Sequence, residues 1–249
     1  MAPNWKKGAQ RISEVKTPFK MEEEKSQPVP ATEPEASSFR LISTLGLAGF
    51  FSGIVLVGAF LYTKPIIEAN RAMALQQAIF KVLPGCTSFR TLELQDGQLV
   101  MLEEGAPEPK EGEEVRRIYV GYGPKDKLIG FAISGEEPGY QDLIIALFGY
   151  NPEEKVVIGF EVLESKETPG LGDKIMKDPG FRANFGSLAA EPSVTVVKKG
   201  EKKKDNEIEA ITGATISSKA VGRLLEKSLV EWRPLIEEHW QEFKKVEEE

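Results

Sequence analysis

Residues 116–135, RRIYVGYGPKDKLIGFAISG, decide the fold, because two apolar runs flank the turn-forming sequence Gly-Pro-Lys-Asp. Runs rich in β-branched and aromatic residues and bounded by turn signals are typical of paired strands. Two further runs follow, LIIALFGY at 143–150 and KVVIGFEVLES at 155–165, with Asn-Pro between them. These four runs predict a sheet of antiparallel strands joined by hairpins.

Helical patterns lie on both sides of the predicted sheet. Residues 64–83 carry apolar side chains at helical spacing and should form a helix that ends before Pro84. Beyond Thr215 a second pattern places five apolar residues on one helix face: Val221, Leu224, Leu225, Leu229 and Trp232. Pro234 is expected to interrupt this C-terminal amphipathic helix.

Two shorter apolar runs, VTVVK at 194–198 and IEAI at 208–211, flank a basic loop and are expected to pair as a hairpin. The acidic stretch EEGAPEPKEGEE at 103–114 should be a solvated connection. This mixture of short strands and helices predicts an α+β domain at residues 64–249, with a connecting helix at its start and the amphipathic helix at its end.

Upstream of this domain, residues 41–62 read LISTLGLAGFFSGIVLVGAFLY, an uncharged apolar run. A helix of this length, at about 1.5 Å per residue, crosses a hydrocarbon core of roughly 30 Å. We therefore predict one transmembrane helix at 40–63. Lysines and arginines are more numerous before it than after it, which predicts a cytoplasmic N-terminus and an extracytoplasmic domain at a bacterial cytoplasmic membrane. Residues 1–39 are polar and contain several prolines, and are predicted to be a disordered cytoplasmic tail.

Composition limits the chemistry that the chain can perform. The 249 residues carry a formal net charge of -7, which implies no nucleic-acid partner. A single cysteine, Cys86, excludes an internal disulfide framework and a multi-cysteine metal site. A single histidine, His239, argues against a histidine-rich metal cluster or a histidine-based triad. A chain with so few catalytic side chains is expected to use a bound cofactor.

The stretch ITGATISSKAV at 211–221 places small residues and hydroxyls immediately before the C-terminal helix. One interpretation is an ordinary helix cap, since serine and threonine are common there. The other is an anion site, because a helix N-terminus offers unpaired N–H groups to a phosphate. Gly213 and Ala214 would let a ligand approach the backbone, and the hydroxyl of Thr215 would lie beside its phosphate.

Two other stretches are candidate ligand loops. ESKETPGLGDKI at 164–175 contains turn residues that could expose backbone N–H groups to a planar or anionic ligand. GEEPGYQDLIIAL at 135–147 places Tyr140 after a turn, where its ring could stack on a ligand. Each also has a simpler interpretation, as a connecting loop and as a core or surface tyrosine.

A membrane span followed by GYQDLI, ETPGLGDKI and ITGATISSKAV resembles the FMN-binding-domain family, and within it the G-subunit branch of Rnf-type ion-translocating ferredoxin:NAD oxidoreductase complexes. The resemblance covers roughly residues 41–232. It implies covalent FMN, bound as a phosphoester to the last threonine of the motif, Thr215, by a separate flavin transferase that uses FAD and magnesium. It also implies contacts with the flavin or its phosphate from Thr212, Gly213, Ala214, Ser218, Glu167, Thr168, Pro169, Gly170, Leu171, Gly172, Lys174 and Tyr140.

The function implied by this resemblance is that of a membrane-anchored electron carrier without a complete active site of its own. Its partners would be the other membrane and peripheral subunits of an Rnf-type complex, the flavin transferase and membrane lipid. One alternative is the NqrC-type subunit of the sodium-pumping NADH:quinone oxidoreductase, which shares the FMN domain. Alternatives of other classes are an anchored module that binds a phosphate ligand non-covalently, and an assembly subunit without flavin.

Overall fold

The computed structural model describes residues 37–102 and 115–244. The chain divides into two compact units, Met1–Gly58 and Ala59–Glu249. Nearly all of the predicted disordered tail, up to residue 36, lies outside the described residues, as does the acidic stretch at 103–114.

The first described element is the long helix α1, Ser38–Val82. Within the described ranges it is the one helix that is long and apolar enough to cross a membrane, and its most apolar stretch has no buried residues. The predicted span and the predicted connecting helix therefore form a single helix, which continues through Pro65 and ends before Pro84 as expected. Exposed apolar side chains over this length are typical of a lipid-facing helix.

A seven-stranded antiparallel sheet forms the centre of the second unit. Its order is β2-β1-β3-β4-β5-β6-β7. The strands are β1 (Ser88–Gln95), β2 (Gln98–Met101), β3 (Arg117–Tyr122), β4 (Leu128–Pro138), β5 (Leu143–Asn151), β6 (Val156–Ser165) and β7 (Leu188–Ala189). The four strands predicted from the sequence are confirmed as β3 to β6, and each pairs with the next in an antiparallel register. The α+β fold class is thereby confirmed.

Short elements and a long helix complete the second unit. They are α2 (Lys174–Lys177), α3 (Pro179–Ala183), β8 (Thr195–Val197), β9 (Glu207–Glu209) and α4 (Thr215–Lys244). The predicted hairpin of β8 and β9 is wrong, because the two strands pair in parallel. A three-residue strand is only about 10 Å long, so the loop between the two strands is long enough to return to the start of β8.

The predicted interruption at Pro234 is also wrong, because α4 continues through it to Lys244. Ile236 and Phe243, both beyond the proline, are buried in the core. Their burial stabilises the helix by about 1.5–3 kcal/mol for each side chain. This offsets the cost of an internal proline, which is about 3 kcal/mol.

The two faces of the sheet are covered by different helices. Helix α4 packs on one face, where Phe131, Phe148 and Leu224 belong to the larger hydrophobic core. On the other face, the C-terminal end of α1 packs against Ala132 and Leu147. Along β4 and β5 the side chains therefore alternate between two cores, as the two-residue period of a strand requires.

The last turn of α1 lies against a glycine pair on this second face. Gly149 and Gly159 are directly opposite each other on β5 and β6. A methyl group built on Gly149 would lie 2.9 Å from the carbonyl carbon of Val82, and one on Gly159 would lie 2.6 Å from its Cα. Side chains at either position would displace the helix backbone, so the two glycines allow α1 to rest directly on the sheet.

Candidate functional site

A cavity of about 370 Å³ lies where three loops of the second unit meet. The turn between β4 and β5, the loop after β6, and the entry to α4 each form one wall. Its lining residues are Tyr140, Glu167, Thr168, Leu171, Gly172, Gly213, Ala214, Thr215, Ile216 and Ser217. The structure therefore brings together the three stretches that the sequence identified, although up to 77 positions separate their residues. This volume lies within the usual range of small-molecule sites.

The entry to α4 forms the wall that contains Thr215. Gly213 has a φ of 86°, a conformation that residues with a Cβ rarely adopt. The backbone turns there, Ala214 N–H donates to the carbonyl of Ile211 at 3.0 Å, and Thr215 begins the helix. Thr215 is an exposed residue and lines the cavity. A hydroxyl at a helix N-terminus lies in positive potential, which favours a bound phosphate beside it.

Ser218 stabilises this turn from inside the protein. Its hydroxyl donates to the Ala214 carbonyl at 2.9 Å and accepts the N–H of Ile211 at 3.0 Å. Because the residue is fully buried and is not among the lining residues, Ser218 supports the turn and does not face the cavity. The predicted contact of Ser218 with the phosphate side of the ligand remains a prediction.

Glu167 is a buried carboxylate at the junction of the three walls. One oxygen, Oε1, accepts the N–H groups of Tyr140 and Gln141 at 2.8 and 3.0 Å. The other, Oε2, accepts the hydroxyl of Ser217 at 2.5 Å. Only 5% of the residue is exposed. Burial by itself raises the pKa of Glu167, but these hydrogen bonds outweigh burial and hold its pKa below the ordinary value.

Not all predicted contact residues line the cavity. Eight do: Tyr140, Glu167, Thr168, Leu171, Gly172, Gly213, Ala214 and Thr215. Five do not: Thr212, Pro169, Gly170, Lys174 and Ser218. Of the latter, Lys174 begins α2, so its side chain leaves from a helix rather than from the loop. The contacts assigned to these residues remain predictions.

Two lining residues, Ile216 and Ser217, were not singled out as ligand contacts from the sequence. Both lie in the first turn of α4 beside Thr215, and this position next to the motif could have identified them as ligand contacts. The partner of Ser217 could not be read from the sequence, because Glu167 is 50 positions away. Among the described residues, no group of three or more histidine, cysteine, aspartate or glutamate side chains is arranged to hold a metal ion.

A second, larger groove of about 450 Å³ lies along α4 beside β8. It is lined by Val194, Val196, Lys219, Gly222, Arg223, Glu226 and Lys227. One of these residues, Arg223, pairs with Glu137 of β4 at 2.7 Å. None of the predicted contact residues lines the groove, so the smaller cavity is the candidate functional site.

Comparison with known proteins assigns the same region to a flavin-binding family. The model of the FMN-binding domain matches residues 139–230, a range that contains every residue lining the cavity. The solved structure of NqrC from Shewanella oneidensis superposes with a TM-score of 0.50, covering 72% of this chain and 98% of that one. At 17% identity this likeness shows a shared fold.

Full-length relatives extend the match beyond the domain. The G subunit of the Na⁺-translocating ferredoxin:NAD⁺ oxidoreductase complex of Acetobacterium woodii is 30% identical over 188 residues, which cover 74% of this chain and 87% of the relative. The G subunit of the proton-translocating ferredoxin:NAD⁺ oxidoreductase complex of Clostridium ljungdahlii is 30% identical over 185 residues, covering 74% and 86%. The chain therefore belongs to the G-subunit family of ion-translocating ferredoxin:NAD oxidoreductase complexes and contains its FMN-binding domain.

Proposed function

We propose that this chain is the membrane-anchored flavoprotein subunit of an Rnf-type complex and holds FMN in the cavity at the start of α4. The observation that carries the proposal is that Thr215, an exposed residue at a helix N-terminus, lines a cavity inside a matched FMN-binding domain. FMN, when bound, supplies the redox chemistry. The protein supplies its position, its burial and the polarity around it.

Thr215 is proposed to attach the cofactor covalently. Its Oγ1 forms a bond to the FMN phosphorus of FAD, the bond between the two phosphates breaks, AMP leaves with the bonding electron pair, and the hydroxyl proton passes to solvent. A separate flavin transferase with magnesium catalyses this step. The N–H groups at the N-terminus of α4 would then hold the phosphate, and the helix dipole would favour its charge.

Leu171 and Tyr140, which belong to two different walls of the cavity, are proposed to contact the ring system. Both line the cavity, and the two residues are 50% and 66% exposed. Large apolar and aromatic groups exposed at a cavity gain free energy when a planar ligand covers them. The predicted contacts of Thr168, Gly172, Gly213 and Ala214 would come from residues that line the same space.

The anchor and the partners follow from the same assignment. We propose that α1 crosses a bacterial cytoplasmic membrane once, with a cytoplasmic N-terminus and the FMN domain on the other side, because basic residues are more frequent before the span. One cysteine cannot supply the several thiolate ligands that an iron–sulfur cluster requires. Electrons must therefore reach and leave the FMN through other subunits of the complex.

The NqrC-type subunit of the sodium-pumping NADH:quinone oxidoreductase remains the second candidate, because the fold resembles that of NqrC. The relatives that match at 30% identity over most of their length are G subunits of ferredoxin:NAD⁺ oxidoreductase complexes instead. This sequence similarity favours the ferredoxin:NAD complex, and we retain it as the proposed function.

The test uses the full-length chain, produced with its flavin transferase and purified in detergent. Wild type, Thr215→Ala and Thr212→Ala are compared on a denaturing gel under ultraviolet light, and the fluorescent peptide is sequenced by mass spectrometry. Thr212 is the matched control, because it belongs to the same motif but does not line the cavity. We expect fluorescence in wild type and Thr212→Ala, and none in Thr215→Ala. A dark wild-type band, with the transferase active on another substrate, would refute covalent attachment.

A further inference from the structure

Glu167 connects three segments that are far apart in the chain, and all three form walls of the cavity. Its carboxylate accepts from Tyr140 and Gln141, 27 and 26 positions earlier, and from Ser217, 50 positions later. We propose that Glu167 is a positioning residue, which sets the spacing between the Tyr140 wall and the Thr215 wall to fit FMN. The proposal rests on the proposed function for the identity of the ligand.

The geometry argues against Glu167 acting mainly as a direct ligand contact. Both carboxylate oxygens already accept hydrogen bonds from the protein, and Oε1 accepts two. Only 5% of the residue is exposed. Its influence on a ligand therefore passes through the groups that it holds, which are the backbone at Tyr140 and the first turn of α4.

Gly139 and Gly172 leave room for the Glu167 carboxylate, and a side chain at either position would clash with Glu167. A methyl group built on Gly172 would lie 2.8 Å from Glu167 Cβ and 3.0 Å from Ser217 Oγ. One built on Gly139 would lie 2.8 Å from Ile144 Cδ1 and would overlap the Glu167 carboxylate. Close packing on both sides, together with three hydrogen bonds, favours this position of the carboxylate over others.

The hydrogen-bond partners explain how this position reaches the attachment site. Ser217 lies two residues after Thr215 in the same helical turn, so holding its hydroxyl holds the start of α4. The amides of Tyr140 and Gln141 hold the turn that presents the exposed Tyr140 ring. Without the carboxylate, both walls lose the buried group that joins them, and the three donors lose their acceptor.

Four variants of the full-length chain separate this role from general stability. Glu167→Ala removes all three hydrogen bonds, and Ser217→Ala removes one. Glu167→Gln keeps the shape, because its amide oxygen can accept the two N–H groups while its NH₂ donates to the Ser217 hydroxyl. Glu226→Ala is the matched control: it removes a carboxylate that accepts the Val194 N–H at 2.6 Å and does not line the cavity.

The first readout, hydrogen exchange in the flavin-free protein, does not depend on the cofactor. We expect the Tyr140 and Gln141 amides, which donate to the carboxylate, to exchange at least roughly tenfold faster in Glu167→Ala, as expected when a hydrogen bond to a charged group is lost. Glu226→Ala should leave these amides unchanged, and Glu167→Gln should restore most of the protection. Unchanged exchange in Glu167→Ala would overturn the positioning role.

The second readout is the initial rate of FMN attachment by the transferase, with the fluorescence anisotropy of the attached flavin. Misplacement of a reacting group by about 1 Å can slow a reaction roughly a hundredfold, so we expect Glu167→Ala to be at least tenfold slower, with lower anisotropy. Ser217→Ala should be intermediate and Glu167→Gln close to wild type. Equal losses in Glu167→Ala and Glu226→Ala would overturn the proposal. A wild type that accepts no FMN would refute the proposed function instead, while hydrogen exchange still decides the role of Glu167.

Discussion

Gly149→Ala tests whether the end of α1 rests directly on the sheet. The added methyl group would lie 2.9 Å from the Val82 carbonyl carbon and 3.0 Å from Leu83 Cδ2, and closer still to the Val82 carbonyl oxygen. A flexible side chain could move aside, but here most of the clash is with helix backbone. The last turn of α1 must therefore lift away from the sheet.

The expected change in the free energy of unfolding is the sum of competing contributions. Overpacking of a core costs about 1–3 kcal/mol. Partial undocking of the fully buried Ile79, Val82 or Leu83 adds about 1.5–3 kcal/mol for each side chain that becomes exposed. Replacing glycine by alanine also restricts the unfolded chain, which stabilises the folded state by only about 0.4–1 kcal/mol. We therefore expect the free energy of unfolding to fall by about 2–4 kcal/mol.

The assay is thermal unfolding of the full-length chain in detergent, followed by circular dichroism. For a protein of this size each kcal/mol lowers Tm by about 2–4 °C, so Tm should fall by roughly 5–15 °C. Gly186→Ala is the matched control, because a methyl group there would lie 4.0 Å from its nearest neighbour, the Ala183 carbonyl oxygen. If the two variants melt at the same temperature, direct packing of α1 on the glycine pair is refuted.

Three further outcomes are expected. Gly172→Ala should destabilise the domain by about 1–3 kcal/mol through overpacking against Glu167 and reduce FMN attachment; wild-type attachment would contradict the close packing. Gly213→Ala should lower the free energy of unfolding by about 1–2 kcal/mol through backbone strain alone, because φ is 86° and the atom nearest to the added methyl group is 3.9 Å away. An unchanged Tm would contradict the left-handed conformation at this position. The pKa of Glu167 is lowered by folding, so its contribution to stability is complete above the unfolded pKa of about 4.3 and is lost as pH falls through the lower folded pKa. Glu167→Gln should therefore lose less stability than wild type as the pH falls below about 4.3 in acid titrations followed by circular dichroism, and identical acid titrations would contradict this linkage.

Local sequence patterns determined much of this protein. The apolar runs predicted β3 to β6, because alternating side chains and turn residues act over a few positions. The uncharged stretch at 41–62 predicted a helix of membrane-spanning length, and the small residues before Thr215 predicted the start of α4. The hairpin of β1 and β2 was missed, although Asp96-Gly97 is a turn signal between two strands.

Tertiary structure decided the features that depend on partners distant in the chain. The parallel pairing of β8 with β9 and the continuation of α4 through Pro234 are stabilised by packing that no short window contains. The same holds for the cavity, where Glu167 joins Tyr140 to Ser217. The sequence by itself specified which residues could bind a phosphate and a ring. Only the fold determined which of them face one cavity and that Ser218 supports it from behind, because burial and hydrogen-bond partners depend on contacts between distant segments.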